Sequence, residues 1–339
     1  MRTERRGARD FRARRGRARA TARSAPALAA LLVAWAVSSC RGTIASRAEL
    51  AEYRRLRGAL VSAETVATGT HGRYARYRVR LSSSTGLVAT GWLLSPGAGS
   101  RCARAPAVLL QDGREENADV IGRLPSEFGD VVVLSLDYPD AIPYEIRLGD
   151  VMRRAARLRH AAREIPARFS LGAAYLARRR DVDHARIAIA ATSFAVPFAT
   201  IAAAIDSRFH DAAFIYGAGD LPSVLAANLD TRPRVARKPL AWLATRPFAE
   251  LAPERFIGRI APRAVVMVNG ADDPQMPAAA VRRLYRAARA PKTLIWLRTG
   301  HLEPTDSSLI RALVDTAFAR LPVLHAGVHD ATCAVVAKP

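Results

Sequence analysis

Short apolar runs separated by helical patterns make up most of the chain. Two runs around residue 80 alternate apolar residues with basic or polar ones, and the serine- and glycine-rich turn between them predicts an antiparallel hairpin. The later runs are continuously apolar, which is typical of strands covered on both faces in a parallel sheet. About eight strands are predicted, at 74–81, 87–94, 107–111, 131–136, 186–192, 212–216, 264–268 and 293–297.

Helical patterns occupy the intervals between these strands, at 47–60, 148–165, 167–180, 193–205, 277–290 and 305–321. The segment after the first helix, up to residue 70, is predicted to be a loop. Pro166 is predicted to separate two helices, because proline disfavours helical backbone at the residue before it. An initial hairpin followed by alternating strands and helices predicts an α/β fold with a mostly parallel central sheet and helices on both faces.

One large domain is expected, because half of the 339 residues are hydrophobic and can bury a sizeable core. It spans 73–321, after a signal peptide at 1–39 and a linker with a helix at 40–72, and a tail follows at 322–339. Residues 221–262 interrupt the alternation with two proline-punctuated, partly helical pieces. They predict a small cap over the carboxyl ends of the strands, the edge at which open α/β sheets bind ligands.

The first 40 residues have the pattern of an export signal. Residues 1–23 are arginine-rich, and the uncharged apolar run at 25–37 is too short to span a bilayer and typical of a signal-peptide core. Residues 37–40, Val-Ser-Ser-Cys, resemble the bacterial lipobox, which implies that Cys40 is lipidated and becomes the mature N-terminus. This predicts a lipid anchor on the periplasmic face of a bacterial envelope. A soluble secreted protein and an uncleaved anchor are the alternatives.

The net charge of +22 does not by itself indicate nucleic-acid binding. Ten arginines against two acidic residues give residues 1–39 a charge of +8, which leaves +14 for the rest of the chain. Arginine is dispersed through that remainder, without a basic face interleaved with aromatic residues. No nucleic-acid partner is therefore expected.

The remaining cysteines and the histidines give no metal-binding pattern. Cys102 and Cys333 form an even pair, which in an oxidising periplasm permits one disulfide; two free thiols are the alternative. The six histidines other than His301 show no metal-ligand spacing and are assigned surface or structural roles. No metal is therefore predicted. No glycine-rich phosphate loop follows the first parallel strand, so no cofactor is predicted either.

Ser193 stands where an apolar strand passes directly into an alanine-rich helical segment. Such a turn places a serine at its apex in a strained, positive-φ conformation, and the residues two before and two after must be small. Here both are alanine, Ala191 and Ala195, where the usual pattern has glycine. The alternative is an ordinary serine that ends a buried strand.

An acidic residue and a histidine follow later strands in the order that a serine nucleophile requires. The segment 270–277 reads Gly-Ala-Asp-Asp-Pro-Gln-Met-Pro after one strand, and Gly300-His301 follows the next. A serine hydroxyl is a poor nucleophile until an imidazole takes its proton, and a carboxylate fixes the tautomer of that imidazole.

These motifs resemble the α/β-hydrolase superfamily over residues 73–321, and most of all its dienelactone hydrolase and acyl-peptidase-like esterase branch. The resemblance implies Ser193 as nucleophile, Asp273 as acid and His301 as base. Asp272 is the neighbouring alternative for the acid. Asp220 is less favoured and is predicted to cap a helix.

The resemblance also implies two backbone donors for the developing oxyanion, the N–H groups of Phe194 and Arg114. Arg114 follows Asp112-Gly113, and the family usually places a histidine where Asp112 stands. A plain turn is the alternative for this segment.

The function predicted from these residues is that of a serine hydrolase that cleaves a carboxylic ester or related acyl bond through an acyl-enzyme. The alternative is a catalytically inactive hydrolase-fold lipoprotein that serves as a binding module of the envelope. The missing glycines at 191 and 195 favour the alternative, whereas the presence of all three triad residue types favours the enzyme.

Overall fold

Nine strands form a single sheet in the part of the chain that the computed structural model describes, which is residues 44–97, 104–113, 124, 129–143, 148–231, 233–302 and 306–325. In chain order they are β1 (Leu60–His71), β2 (Tyr74–Ser83), β3 (Val88–Pro96), β4 (Ala105–Gln111), β5 (Val132–Leu136), β6 (Val182–Thr192), β7 (Asp211–Ile215), β8 (Ala264–Gly270) and β9 (Lys292–Leu297).

The order of strands across the sheet is β1-β2-β3-β5-β4-β6-β7-β8-β9. The pairs β1–β2, β2–β3 and β3–β5 are antiparallel, and every other pair is parallel. The carboxyl ends of β4 to β9 therefore meet at one edge. The predicted hairpin and the predicted mostly parallel α/β sheet are both confirmed.

Helices lie between the parallel strands from β5 onward, as the alternating pattern predicts, and further helices precede β1 and follow β9. In chain order they are α1 (Arg47–Arg57), α2 (Leu148–Leu176), α3 (Val196–Ile205), α4 (Leu221–Asn228), α5 (Arg237–Thr245), α6 (Ala278–Ala287), α7 (Ser307–Phe318) and α8 (Pro322–His325). Every residue of β4, β5 and β7 is buried, which explains why their sequences are continuously apolar rather than alternating.

The N-terminal segment differs from its prediction. The helix ends at Arg57, where Gly58 has φ 65°, and the predicted loop is β1, which pairs along its length with β2. Residues 61–70 of β1 are all exposed. Because neither face of this strand is buried, its sequence carries no alternation from which a strand could be predicted.

The predicted helix break at Pro166 is also wrong. Pro166 lies inside the single helix α2, whose one departure from helical backbone is at Arg154. The buried residues Ala162, Ile165 and Phe169 lie on both sides of the proline. The free energy gained by packing this continuous face against the sheet is larger than the cost of the one helical hydrogen bond that proline removes.

The insertion at 221–262 consists of α4, α5 and short 3₁₀ segments. Ala244 of α5 packs with Val151 and Leu158 of α2 in a small apolar cluster. The Asn228 side chain donates to the backbone carbonyl of Gln275, 2.9 Å away, just beyond the carboxyl end of β8. Within the described ranges, no helix has the length and apolar character needed to cross a membrane.

Candidate active site

Ser193 begins the turn between β6 and α3. Its φ is 50°, a left-handed value that is rare for residues other than glycine. Ala191 and Ala195 are completely buried on either side of it, so a larger side chain at these positions would collide with the packed core. The sequence therefore places a partly exposed serine at the apex of a strained turn.

Asp273 lies in the turn that follows β8, and its side chain is fully buried. Its Oδ2 atom lies 2.7 Å from Nδ1 of His301. Its Oδ1 atom accepts the backbone N–H groups of Gln275 (2.7 Å) and Met276 (3.2 Å). These bonds fix the plane of the carboxylate and leave one oxygen directed at the histidine.

His301 follows β9 and connects the acid to the serine. Its Nδ1 faces the Asp273 carboxylate and therefore carries a proton, which leaves Nε2 of the neutral ring as an acceptor. Nε2 lies 3.4 Å from Oγ of Ser193. The three side chains form one continuous chain from hydroxyl to imidazole to carboxylate.

The alternative acids are not part of this chain of contacts. Asp272 is exposed, and its backbone N–H donates to the carbonyl of Thr299. Asp220 precedes α4 in a left-handed conformation, and its carboxylate accepts the hydroxyl of Ser223 at 2.7 Å. Asp220 thus occupies the N-cap position of α4, but its carboxylate accepts no backbone N–H of the helix, so the predicted side-chain cap is not formed.

Gly270 allows the loop that carries His301 to approach β8 closely. A Cβ atom at this position would lie 2.6 Å from the carbonyl oxygen of Thr299 and 2.8 Å from that of Gly300. Such distances are far inside van der Waals contact, and both atoms belong to the backbone. Any larger residue would displace the segment immediately before His301.

Tyr216 is a residue of the site that the sequence analysis missed. It directly follows β7 with φ 52°, and its ring centroid lies 4.8 Å from that of His301 at an interplanar angle of 49°. Its hydroxyl is hydrogen-bonded to that of Thr299, with 3.3 Å between the oxygens. Burial, followed by the charges of Asp273 and Asp306, raises the pKa of Tyr216, so the phenol stays neutral.

Aromatic residues connect the turn at Ser193 to the start of the loop after β4. The Tyr138 hydroxyl donates to the backbone carbonyl of Asp112 at 2.7 Å, and the Tyr138 ring meets that of Phe194 edge to face at 5.6 Å. Phe194 packs in the same manner on Phe198, at 5.3 Å. The beginning of the predicted oxyanion loop is therefore held beside Ser193.

Several predicted residues lie outside the part of the chain that the structure describes. They are Arg114, the second proposed oxyanion donor, and the three cysteines Cys40, Cys102 and Cys333. In the described part, no cluster of three or more histidine, cysteine, aspartate or glutamate side chains could hold a metal ion.

A cavity of about 420 Å³ borders His301. It is lined by Thr299, Gly300 and His301 on one side and by Asp306, Ser308, Leu309 and Ala312 on the other. Asp306 caps α7 by accepting the backbone N–H of Leu309 at 2.9 Å. The wall of this cavity is thus a mixture of hydroxyl, carboxylate and apolar groups.

A scan against protein-family models finds no match, and a search of curated proteins finds no similar sequence. Solved structures do match the fold. An acetyl xylan esterase from Paenibacillus sp. R4 is 15% identical, with a TM-score of 0.57 over 79% of this chain and 93% of that chain. Acetyl xylan esterase 1 from Thermoanaerobacterium sp. JW/SL YS485 is 14% identical, with a TM-score of 0.58 over 80% of this chain and 93% of that chain.

A puromycin-hydrolyzing peptidase from Mycobacterium tuberculosis is 17% identical, with a TM-score of 0.50 over 76% of this chain and 46% of that chain. Together with the strand order, the parallel sheet and the helices that connect its strands, these likenesses establish the architecture. The chain has the α/β-hydrolase fold.

Proposed function

We propose that the protein is a serine hydrolase that cleaves a carboxylic ester through an acyl-enzyme intermediate. The observation that supports this most is the series of contacts from Ser193 Oγ to His301 Nε2 (3.4 Å) and from His301 Nδ1 to Asp273 Oδ2 (2.7 Å). Residues from the ends of three separate strands meet in this arrangement. Nothing in the stability of the fold requires a strained serine beside a histidine that is held by a buried carboxylate.

In the first half of the reaction, Nε2 of His301 takes the proton of the Ser193 hydroxyl while Oγ attacks the carbonyl carbon of the ester. The C=O π electrons move to oxygen, which gives a tetrahedral oxyanion. When this intermediate collapses, the C–O bond to the alcohol breaks and the imidazolium returns the proton to the leaving alkoxide. The acyl group remains on Ser193.

In the second half, His301 takes a proton from water while the water oxygen attacks the acyl carbon. Collapse of the second tetrahedral intermediate releases the carboxylic acid and returns the proton to Ser193. Asp273 keeps its charge throughout and stabilises the imidazolium by electrostatic attraction. For the oxyanion, we propose the backbone N–H groups of Phe194 and Arg114 as donors.

Esters of short carboxylic acids are the first substrates to test. The two matched structures with TM-scores of 0.57 and 0.58 are named as acetyl xylan esterases, which supports testing an ester first; the third, with a TM-score of 0.50, is named as a peptidase, so an amide is the second bond to test. The cavity beside His301 has polar groups in its wall, Thr299 and Asp306 among them, which suits a leaving alcohol with further hydroxyl groups.

The experiment that tests the proposal is turnover of p-nitrophenyl acetate and butyrate by the full chain, with Ser193→Ala beside it. Loss of the nucleophile is expected to lower kcat by at least about a thousandfold. Ser223→Ala is the matched control, because this serine also lies at the carboxyl edge but bonds Asp220. Equal rates in wild type and Ser193→Ala would overturn the proposal and favour an inactive binding module.

We further propose that the protein is anchored at the periplasmic face of the envelope through lipidated Cys40. The sequence Val-Ser-Ser-Cys after an apolar run of signal-peptide length supports this. Expression in a bacterial host with labelled palmitate tests it. Label in the wild type and none in Cys40→Ser is the expected result, and unlabelled wild-type protein would overturn the proposal.

A further inference from the structure

Tyr216 has a backbone conformation that a bulky side chain rarely adopts, with φ 52°. Two hydrogen bonds to the neighbouring strand β8 hold it there. The N–H of Tyr216 donates to the carbonyl of Val268 at 2.8 Å, and the side chain of Asn269, which is completely buried, donates to the carbonyl of Gly217 at 3.1 Å. The fold therefore maintains this conformation against its intrinsic preference.

This backbone conformation places the aromatic ring of Tyr216 beside His301. The Tyr216 ring lies 4.8 Å from the His301 ring, and its hydroxyl contacts that of Thr299, two residues before His301. One side chain thus contacts both the imidazole and the hydroxyl of Thr299, a residue of the loop that carries the imidazole. A tyrosine in an ordinary extended conformation at the end of β7 would direct its ring elsewhere.

The side chain of His301 is 14% exposed, so the groups that pack on its ring help to fix the orientation of the imidazole. Its bond to Asp273 fixes one nitrogen, but a ring held at a single atom can still tilt about that bond. The cavity of about 420 Å³ borders His301 on the side of Asp306 and Leu309. The distance of 3.4 Å between Nε2 and Ser193 Oγ is at the long end for a hydrogen bond, and small tilts would break it.

We propose that Tyr216 is a positioning residue that holds His301 in line between Asp273 and Ser193, through its ring and through its hydroxyl contact with Thr299. Its effect on catalysis rests on the proposed function. Its effect on the geometry of His301 does not, because the ring contact and the Asp273–His301 hydrogen bond exist whether or not the site turns over a substrate.

Three variants of the full chain test the proposal. Tyr216→Leu removes the aromatic ring, Tyr216→Phe keeps the ring and removes the hydroxyl, and Thr299→Val removes the hydroxyl partner while preserving its shape. Two readouts are combined. The first is whether each variant changes kcat or KM for p-nitrophenyl acetate. The second is the low-field proton resonance of the His301–Asp273 hydrogen bond, which is assigned by its loss in His301→Gln.

The expected result for Tyr216→Leu is a fall in kcat between about tenfold and a hundredfold with KM changed less than about threefold, since misplaced groups impair the reaction rather than binding. Its low-field resonance should broaden or disappear. Tyr216→Phe should rescue the resonance and most of kcat, and Thr299→Val should match Tyr216→Phe.

Three results would overturn the proposal. One is an unchanged kcat in Tyr216→Leu, another is a sharp low-field resonance in that variant, and the third is an equal loss in the leucine and phenylalanine variants. The proposed function would fail on a different result, namely equal turnover by the wild type and by Ser193→Ala. In that case the resonance in Tyr216→Leu still decides whether the ring positions His301, because this readout needs no turnover. If Tyr216→Leu does not fold, Tyr216→Met, which also removes the ring, takes its place with the same expected and contradicting results.

Discussion

His301 Nδ1 lies 2.7 Å from Oδ2 of Asp273, and the other oxygen of that carboxylate is occupied by two backbone N–H groups of its own turn. This division of the two oxygens makes Asp273 a fixed acceptor for the imidazole. A neutral amide in the same place would present either an N–H or a carbonyl to the ring, and the backbone donors would compete for the carbonyl.

Asp273→Asn is therefore expected to lower kcat by about a thousandfold or more, because the imidazole would lose its charged partner and its correct tautomer. Asp272→Asn is the matched control, since this exposed side chain precedes the turn and does not contact His301. Steady-state kinetics with p-nitrophenyl butyrate measure both. A large loss in Asp272→Asn with little change in Asp273→Asn would reverse the assignment.

The left-handed backbone at Ser193 should lower the stability of the protein relative to a variant with glycine at this position. Glycine tolerates the φ of 50° at position 193, whereas serine and alanine do not. Ser193→Gly is expected to raise the free energy of unfolding by about 1 kcal/mol relative to Ser193→Ala. Urea denaturation of the two variants measures the difference, and a glycine variant that is no more stable than the alanine variant would contradict a strained turn.

Gly270→Ala should impair the site without unfolding the protein. The added Cβ would meet two backbone carbonyls of the segment before His301, which must move away. Turnover is expected to fall by about tenfold or more, because His301 moves with that segment. Gly149→Ala is the control, since the nearest atom to its Cβ among the described residues would be in the Arg153 side chain, 3.5 Å away. Similar activity in both variants would show that the loop adjusts without moving the histidine.

Stability at low pH should depend on Asp206, which ends α3. Burial raises the pKa of its carboxyl, but hydrogen bonds and charge from Arg208 and the bond from Ser170 outweigh burial, so the pKa lies below the ordinary 3.8. The stabilisation is therefore complete above pH 3.8 and is lost as the pH falls through the lower, folded-state pKa.

Asp206→Asn is expected to lower the free energy of unfolding at pH 7 by about 3 kcal/mol, because Arg208 and Arg57 lose their buried partner. The variant should also lose less stability than the wild type on acidification. Asp230→Asn, at a side chain that is 99% exposed, is the control and should change little. Urea denaturation at pH 7 and pH 3 measures both effects, and parallel pH dependence in wild type and Asp206→Asn would contradict the account.

The strands that could be predicted from the sequence are those with a buried face. Runs such as β4 and β7 are apolar because both of their faces are covered, and the hairpin alternates because one face is. β1 escaped prediction because its residues are exposed on both sides, so its amino acids reflect no packing. Pro166 misled the prediction because local preference was weaker than the packing of α2 on the sheet.

The triad residues could be selected because the turn chemistry around each one is local. A small-x-serine-x-small turn, an acidic turn after one strand and a Gly-His pair after the next are all visible within a few residues. Tyr216 was not visible, since its contacts with His301 and Thr299 join distant parts of the chain and a tyrosine after a short apolar strand is common. Its positive φ is set by bonds to Val268 and from Asn269, which the sequence does not display.

Covalent labelling of the full chain by a fluorophosphonate, followed by intact mass and peptide mapping, tests whether Ser193 is an activated nucleophile. We expect one adduct for each chain, attached to Ser193, with none in Ser193→Ala and much slower labelling in His301→Gln. A wild-type protein that remains unlabelled, or that carries its adduct on another residue, would contradict the assignment of Ser193 as an activated nucleophile.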